Sequence, residues 1–159
     1  MGGSPRVRTI IPPNTIAARV TGSGGVDPEA VKRAEAAIAG LKGRFERDAS
    51  EQVVRLQNLQ ARFAAGAEPG ETLAEIFQLA HELRGQAGTF GYDLLSRVGN
   101  LLCRYAERGD IGSARGASVL KALIDALAAI LARKAEGDGD ALGRELLREL
   151  EHLVGRLDG

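Results

Sequence analysis

The stretch GETLAEIFQLAHELRGQAGTFG, Gly70 to Gly91, decides the fold. Leu73, Ile76, Ala80, Leu83 and Ala87 recur at alternating spacings of three and four, which predicts one amphipathic helix from about Glu71 to Thr89. A helix turns roughly 100° per residue. Beside the apolar seam, that rotation lays out a second stripe of Phe77, His81, Arg84 and Gly88, with Gly85 on its outer edge. The stripe combines an imidazole, a guanidinium one turn later and positions without side chains. The chain has 2 histidines, and the other, His152, lies beside a leucine seam with no such company, so only a helix-surface role is expected of it.

Outward from this stretch, the same periodicity repeats. Asp27-Pro28-Glu29 reads as a helix start, with a capping carboxylate, a proline suited to the first turn and an acid at the positive end of the dipole. Val31, Ala34, Ile38, Leu41 and Phe45 follow at helical spacing, and the pattern continues through Ala49, Val53, Leu56 and Phe63. It fits one long helix or two with a bend near Asp48 to Ser50, ending at the turn marked by Pro69-Gly70. After Gly91, the residues Leu94, Leu95, Val98, Leu101, Leu102 and Tyr105 predict a third element, broken at Gly109 and Gly112. A fourth begins near Ser113 and uses Leu120, Ile124, Leu127 and Leu131. A last helix after the Gly137-Asp138-Gly139-Asp140 turn carries Leu142, Leu146, Leu150, Leu153 and Leu157.

No segment alternates as a strand would. Short links between amphipathic helices imply an all-α, antiparallel, up-and-down four-helix bundle with an additional or extended N-terminal helix. Residues 27–159 are expected to form this bundle. Residues 1–26, with Pro5, Pro12, Pro13 and several glycines, read as an extended flexible arm.

Composition narrows the function classes. Lys+Arg and Asp+Glu are both 21, so there is no basic surplus of the kind that marks a nucleic-acid binder. The single cysteine, Cys103, excludes an intramolecular disulfide or a cysteine-based zinc site and reads as a small core residue. No second histidine stands at the i, i+4 spacing of a helical zinc site. The absence of a signal-peptide pattern or a spanning apolar run gives the expectation of a cytoplasmic protein without a membrane partner.

The chemistry suggested by the stripe is nucleophilic attack by the imidazole of His81. Arg84 shares its face and can hold phosphoryl oxygens in a planar fork. Gly85 and Gly88 leave room for another molecule to approach, which would justify two glycines that each cost a helix about 1 kcal/mol relative to Ala.

HELRGQAGTFG resembles the signature of histidine-containing phosphotransfer (HPt) domains. That family has a histidine, a basic residue three positions on, a glycine next, and small residues beyond. His81, Arg84, Gly85, Gly88 and Gly91 stand at those positions, with Arg84 where the family usually has Lys. By motif the resemblance covers roughly Glu71 to Tyr105. It implies a phosphorelay protein that accepts a phosphoryl group on His81 from a receiver-domain aspartate and passes it to another receiver. It implies His81 as phosphoacceptor, through the ring nitrogen farther from the backbone, with Arg84 stabilising phosphoryl charge. Phe77, Gly85, Gln86 and Gly88 are implied as docking positions, although Gln86 points further round the helix. The implied partners are response-regulator receiver domains, with a hybrid histidine kinase among the candidates. Mg²⁺ is expected on the receiver; no intrinsic cofactor and no ATPase or kinase activity are expected.

Two other readings remain open from the residues. His81-Glu82-Leu83-Arg84 also resembles the H-box of histidine kinases, which suits a homodimeric kinase-like phosphotransferase. Those boxes, however, usually reach a proline within two residues, whereas this chain continues Gly85-Gln86. A non-catalytic helical adaptor that binds response regulators would need no chemistry at His81.

Overall fold

The computed structural model describes residues 25–108 and 111–156. Most of the arm expected over residues 1–26, the break at Gly109 and the seam position Leu157 lie outside the described residues. Among those described, the secondary structure is helical: α1 Pro28–Ala64, α2 Pro69–Thr89, α3 Asp93–Glu107, α4 Ala114–Ala132 and α5 Asp140–Gly155. Contacts divide the chain into two units, residues 1–40 and residues 41–159.

Within the first unit, Asp27 caps α1 by accepting from the Glu29 N–H at 3.0 Å. The apolar positions Val31 and Ile38 are 37% and 63% exposed. α1 runs as one helix, without an interruption at Asp48 to Ser50.

In the second unit, Leu41 is also exposed, and burial along α1 begins at Phe45 and continues through Ala49, Val53, Leu56, Leu59 and Phe63. These side chains share one core with α2 to α5. The α2 seam lies where its spacing predicts, with Leu73, Ile76, Ala80, Leu83 and Ala87 all buried. So do the apolar positions of α3. Cys103 is in this core, where burial pushes its thiol pKa up, as befits a packing residue.

One seam is rotated from expectation and one is broader than expected. On α5 the buried positions are Gly143, Leu147, Leu150 and Val154, while Leu142 is 63% exposed and Leu146 and Leu153 are half-buried. On α4, the expected Leu120, Ile124 and Leu127 are buried, joined by Val119, Leu123 and Ile130, and Leu131 is half-buried. α5 offers more leucines than one stripe can bury, so packing against α3 and α4 selects the stripe.

Residue pairs show how the helices run. Descending α2 from Arg84 through Ala80 to Phe77 meets Ser96, Gly99 and Cys103 in ascending order on α3, so the two are antiparallel. Tyr105 near the end of α3 donates its hydroxyl to the Gly116 carbonyl near the start of α4 at 3.0 Å. Ser113 caps α4 by accepting from the Gly116 N–H at 3.1 Å. A Cβ at Gly116 would stand 2.8 Å from the Ile111 carbonyl oxygen, so that turn has no room for a larger residue.

The link between α2 and α3 fixes the end of the site helix. Gly91 takes φ +79°, the Tyr92 N–H reaches back to the Ala87 carbonyl at 2.9 Å, and the Phe90 N–H reaches Gln86 at 3.2 Å. This left-handed closure suits glycine and ends α2 sharply. It delivers Phe90 onto Phe45, with ring centroids 5.0 Å apart, and Tyr92 beside them at 5.6 Å from Phe45. The Thr89-Phe90-Gly91 ending therefore serves architecture, tying α2 and α3 to α1.

Candidate functional site

The α2 seam turns its buried face to the core and leaves His81 exposed on the neighbouring stripe. The imidazole is held from two sides. Phe77, one turn earlier and half-buried, stacks on it with centroids 5.9 Å apart and planes 18° from parallel. Arg84, one turn later and also half-buried, places Nη2 3.1 Å from His81 Nδ1. These are the i, i+4 and i, i+3 neighbours that helix geometry brings into reach.

Arg84 is anchored in turn from α3. Its Nη1 donates to Asn100 Oδ1 at 2.8 Å, and its main-chain carbonyl accepts the Ser96 hydroxyl at 3.0 Å. Gly99 lets α3 come this close. A Cβ there would stand 3.3 Å from Arg84 Cβ and 3.6 Å from the Ala80 carbonyl oxygen. The guanidinium thus bridges an α3 amide and an α2 imidazole, and its charge lies against the inner nitrogen of the exposed ring.

Gly85 and Gly88 differ from Gly99. Both are exposed; a Cβ at Gly85 would meet nothing within 4 Å, and one at Gly88 would meet only Ser96 Oγ at an ordinary 3.7 Å. Packing within the chain requires neither glycine. They leave the helix backbone bare on the side of His81, a surface on which another molecule can lie close. Gln86 is exposed, and its side chain makes no hydrogen bond to His81 or Arg84. The site therefore brings together Phe77, His81 and Arg84 with the open positions Gly85 and Gly88, and leaves Gln86 apart.

Sequence reasoning missed Asn100 and Ser96. They interrupt the leucine pattern of α3 with polar side chains at the spacing that faces α2. Polar residues at the flank of an otherwise filled seam are the signal that finds them.

Among the described residues, no group of three or more His, Cys, Asp or Glu side chains is arranged to hold a metal ion. Nor is any helix long and apolar enough to cross a membrane. His152 is exposed on α5.

Comparison with known proteins gives one match. The family model described as Hpt domain matches residues 40–133, more than half of the 159-residue chain, spanning α1 from Gly40 through α4. No curated protein and no solved structure matches the chain.

Proposed function

This chain belongs to the Hpt domain family, whose members carry phosphoryl groups on histidine in phosphorelays and interact with receiver domains of response regulators, and we propose that His81 is its phosphoacceptor. The observation that carries this reading is the placement of His81: an exposed imidazole, stacked on Phe77, with a guanidinium at its inner nitrogen and bare backbone beside it.

In the proposed reaction, a receiver docks over Gly85 and Gly88 and presents a phospho-aspartate. The nitrogen of His81 farther from the backbone, Nε2, attacks phosphorus. An N–P bond forms, the aspartyl O–P bond breaks, and its electron pair returns to the carboxylate. Arg84 spreads the negative charge on the equatorial oxygens, a task suited to its planar fork. Phe77 keeps the ring from turning. The receiver brings the Mg²⁺ and the acidic pocket, since phosphoryl transfer depends on positioning and charge stabilisation from both partners. The reverse reaction with a second receiver completes the relay.

The experiment is transfer from a labelled phospho-receiver, with the product tested for acid-labile, alkali-stable phosphate. Label on the wild type that is lost in His81→Gln, with helical circular dichroism unchanged, is the expected result. Label retained in His81→Gln overturns the assignment. Receiver binding without label in the wild type would favour the adaptor reading.

A further inference from the structure

Arg84 donates to His81 Nδ1, and a guanidinium has donors only. In this geometry Nδ1 must therefore present its lone pair. A neutral imidazole carries one proton, so that proton sits on Nε2, the outward nitrogen. A protonated nitrogen has no lone pair with which to attack phosphorus. A neutral ring in this contact is thus the tautomer that cannot accept a phosphoryl group at Nε2. What keeps Arg84 there is Asn100, which takes the other arm of the fork at 2.8 Å from across the helix pair.

We propose that Asn100 is a positioning residue that acts through Arg84 to hold resting His81 with its proton on Nε2, so that acceptance at Nε2 begins when Arg84 leaves Nδ1. The inference rests on His81 as the phosphoacceptor. The protons balance simply. The Nε2 proton passes to solvent and Nδ1 takes one from solvent; the freed Nε2 lone pair then forms the N–P bond as the donor's bond to phosphorus breaks. Arriving phosphoryl oxygens are charged acceptors and attract a guanidinium more strongly than a neutral ring nitrogen does. The group that stabilises the transferring charge is therefore the one that releases the tautomer. In the resting protein, Phe77 stacked on the ring and Arg84 at its edge keep the clamp in register.

Asn100 does not touch the reacting atoms, so its test needs a signature that a merely structural role would not move. Long-range proton–nitrogen spectra of His81 report which ring nitrogen is protonated. In the wild type the Nε2–H pattern is expected. Asn100→Ala should shift the nitrogens toward the Nδ1–H form. Asn100→Asp keeps an acceptor for Arg84 and should retain the wild-type pattern. Phosphoramidate, a small donor that brings no docking surface, should phosphorylate Asn100→Ala faster than wild type by about fivefold, the scale of one side-chain hydrogen bond. It should phosphorylate Asn100→Asp no faster than wild type.

Nitrogen resonances unchanged in Asn100→Ala, with the variant folded by circular dichroism, would overturn the proposal. So would phosphate found on Nδ1, the nitrogen that Arg84 holds. Resonances that shift as expected while no variant accepts phosphate would support the clamp and overturn His81 as phosphoacceptor, so the two readings fail separately.

Discussion

Gly99 of α3 lies directly against Arg84 of α2, so close that a Cβ on Gly99 would stand 3.3 Å from Arg84 Cβ and 3.5 Å from its Cα. The close approach of α3 that lets Asn100 reach the guanidinium therefore depends on a missing side chain at Gly99. Gly99→Val should force the two helices apart locally, at a cost of about 1–3 kcal/mol, the usual range for overpacking. It should also carry Arg84 away from His81. Urea unfolding gives the first quantity, and the His81 nitrogen resonances report the second. A variant as stable as wild type with unmoved resonances would show that the contact is slack.

Arg84 divides its two terminal nitrogens between Asn100 and His81. Removal of a donor aimed at developing charge typically costs about a hundredfold or more in rate. Arg84→Ala should therefore slow transfer from a phospho-receiver by about a hundredfold while receiver affinity changes far less. Arg84→Lys keeps a point charge and loses the fork, so it should retain most of the transfer rate and lose the bridge to Asn100. Rapid-quench transfer with titrated binding separates these effects. An equal loss in rate and affinity would make Arg84 a docking residue.

Gly85 and Gly88 test the docking face from the opposite direction. Neither has an intramolecular neighbour that alanine would strike. Each substitution to alanine should stabilise the fold, by about 1 kcal/mol at Gly85, since helix propensity then acts unopposed. Receiver binding should weaken on Gly88→Leu, where bulk stands beside His81. Thermal unfolding and a binding titration check the pair. Stabilisation by Gly85→Ala together with unaffected binding by Gly88→Leu would move the docking face elsewhere.

The sequence showed the α2 and α3 seams because their apolar residues fill one stripe and little more, so periodicity has one solution. On α5, Leu142, Leu146 and Leu153 compete with Leu147, Leu150 and Val154, and packing against α3 and α4 decides among them. Val31 and Ile38 show the other boundary: a regular apolar stripe predicts a helix face, and their exposure is set by what covers that face. At the site, His81, Arg84 and Phe77 were legible because helix geometry alone brings them together. Asn100 was legible only as a polar side chain at the flank of the α3 seam; that it meets Arg84 depends on the register of α3 against α2.

Tyr92 and Glu46 form the polar part of the clasp between α1 and the α2–α3 turn. The buried Tyr92 hydroxyl donates to Glu46 Oε1 at 2.6 Å, Lys134 lies 3.5 Å from the other carboxylate oxygen, and Lys42 pairs with Glu136 beside the Tyr92 ring. The Tyr92 hydrogen bond, assisted by Lys134 and Lys42, holds the Glu46 carboxyl below its usual 4.5. Burial, then the bond to Glu46, raises the Tyr92 hydroxyl above its usual 10.0. The signs follow from linkage. The Glu46 contribution is fully present above pH 4.5, where the unfolded carboxyl is ionised, and is lost as pH falls through the lowered folded value. The Tyr92 contribution is fully present below pH 10.0 and declines as pH rises above it toward the raised folded value. Tyr92→Phe should cost about 1.5 kcal/mol at neutral pH, the low end for a hydrogen bond to a charged group because water can reach Glu46. More tellingly, its stability should fall less steeply than that of the wild type on both the acid and the alkaline limbs. Urea midpoints measured across pH test this, and parallel curves for the two proteins would mean that the bond contributes nothing to the folded state.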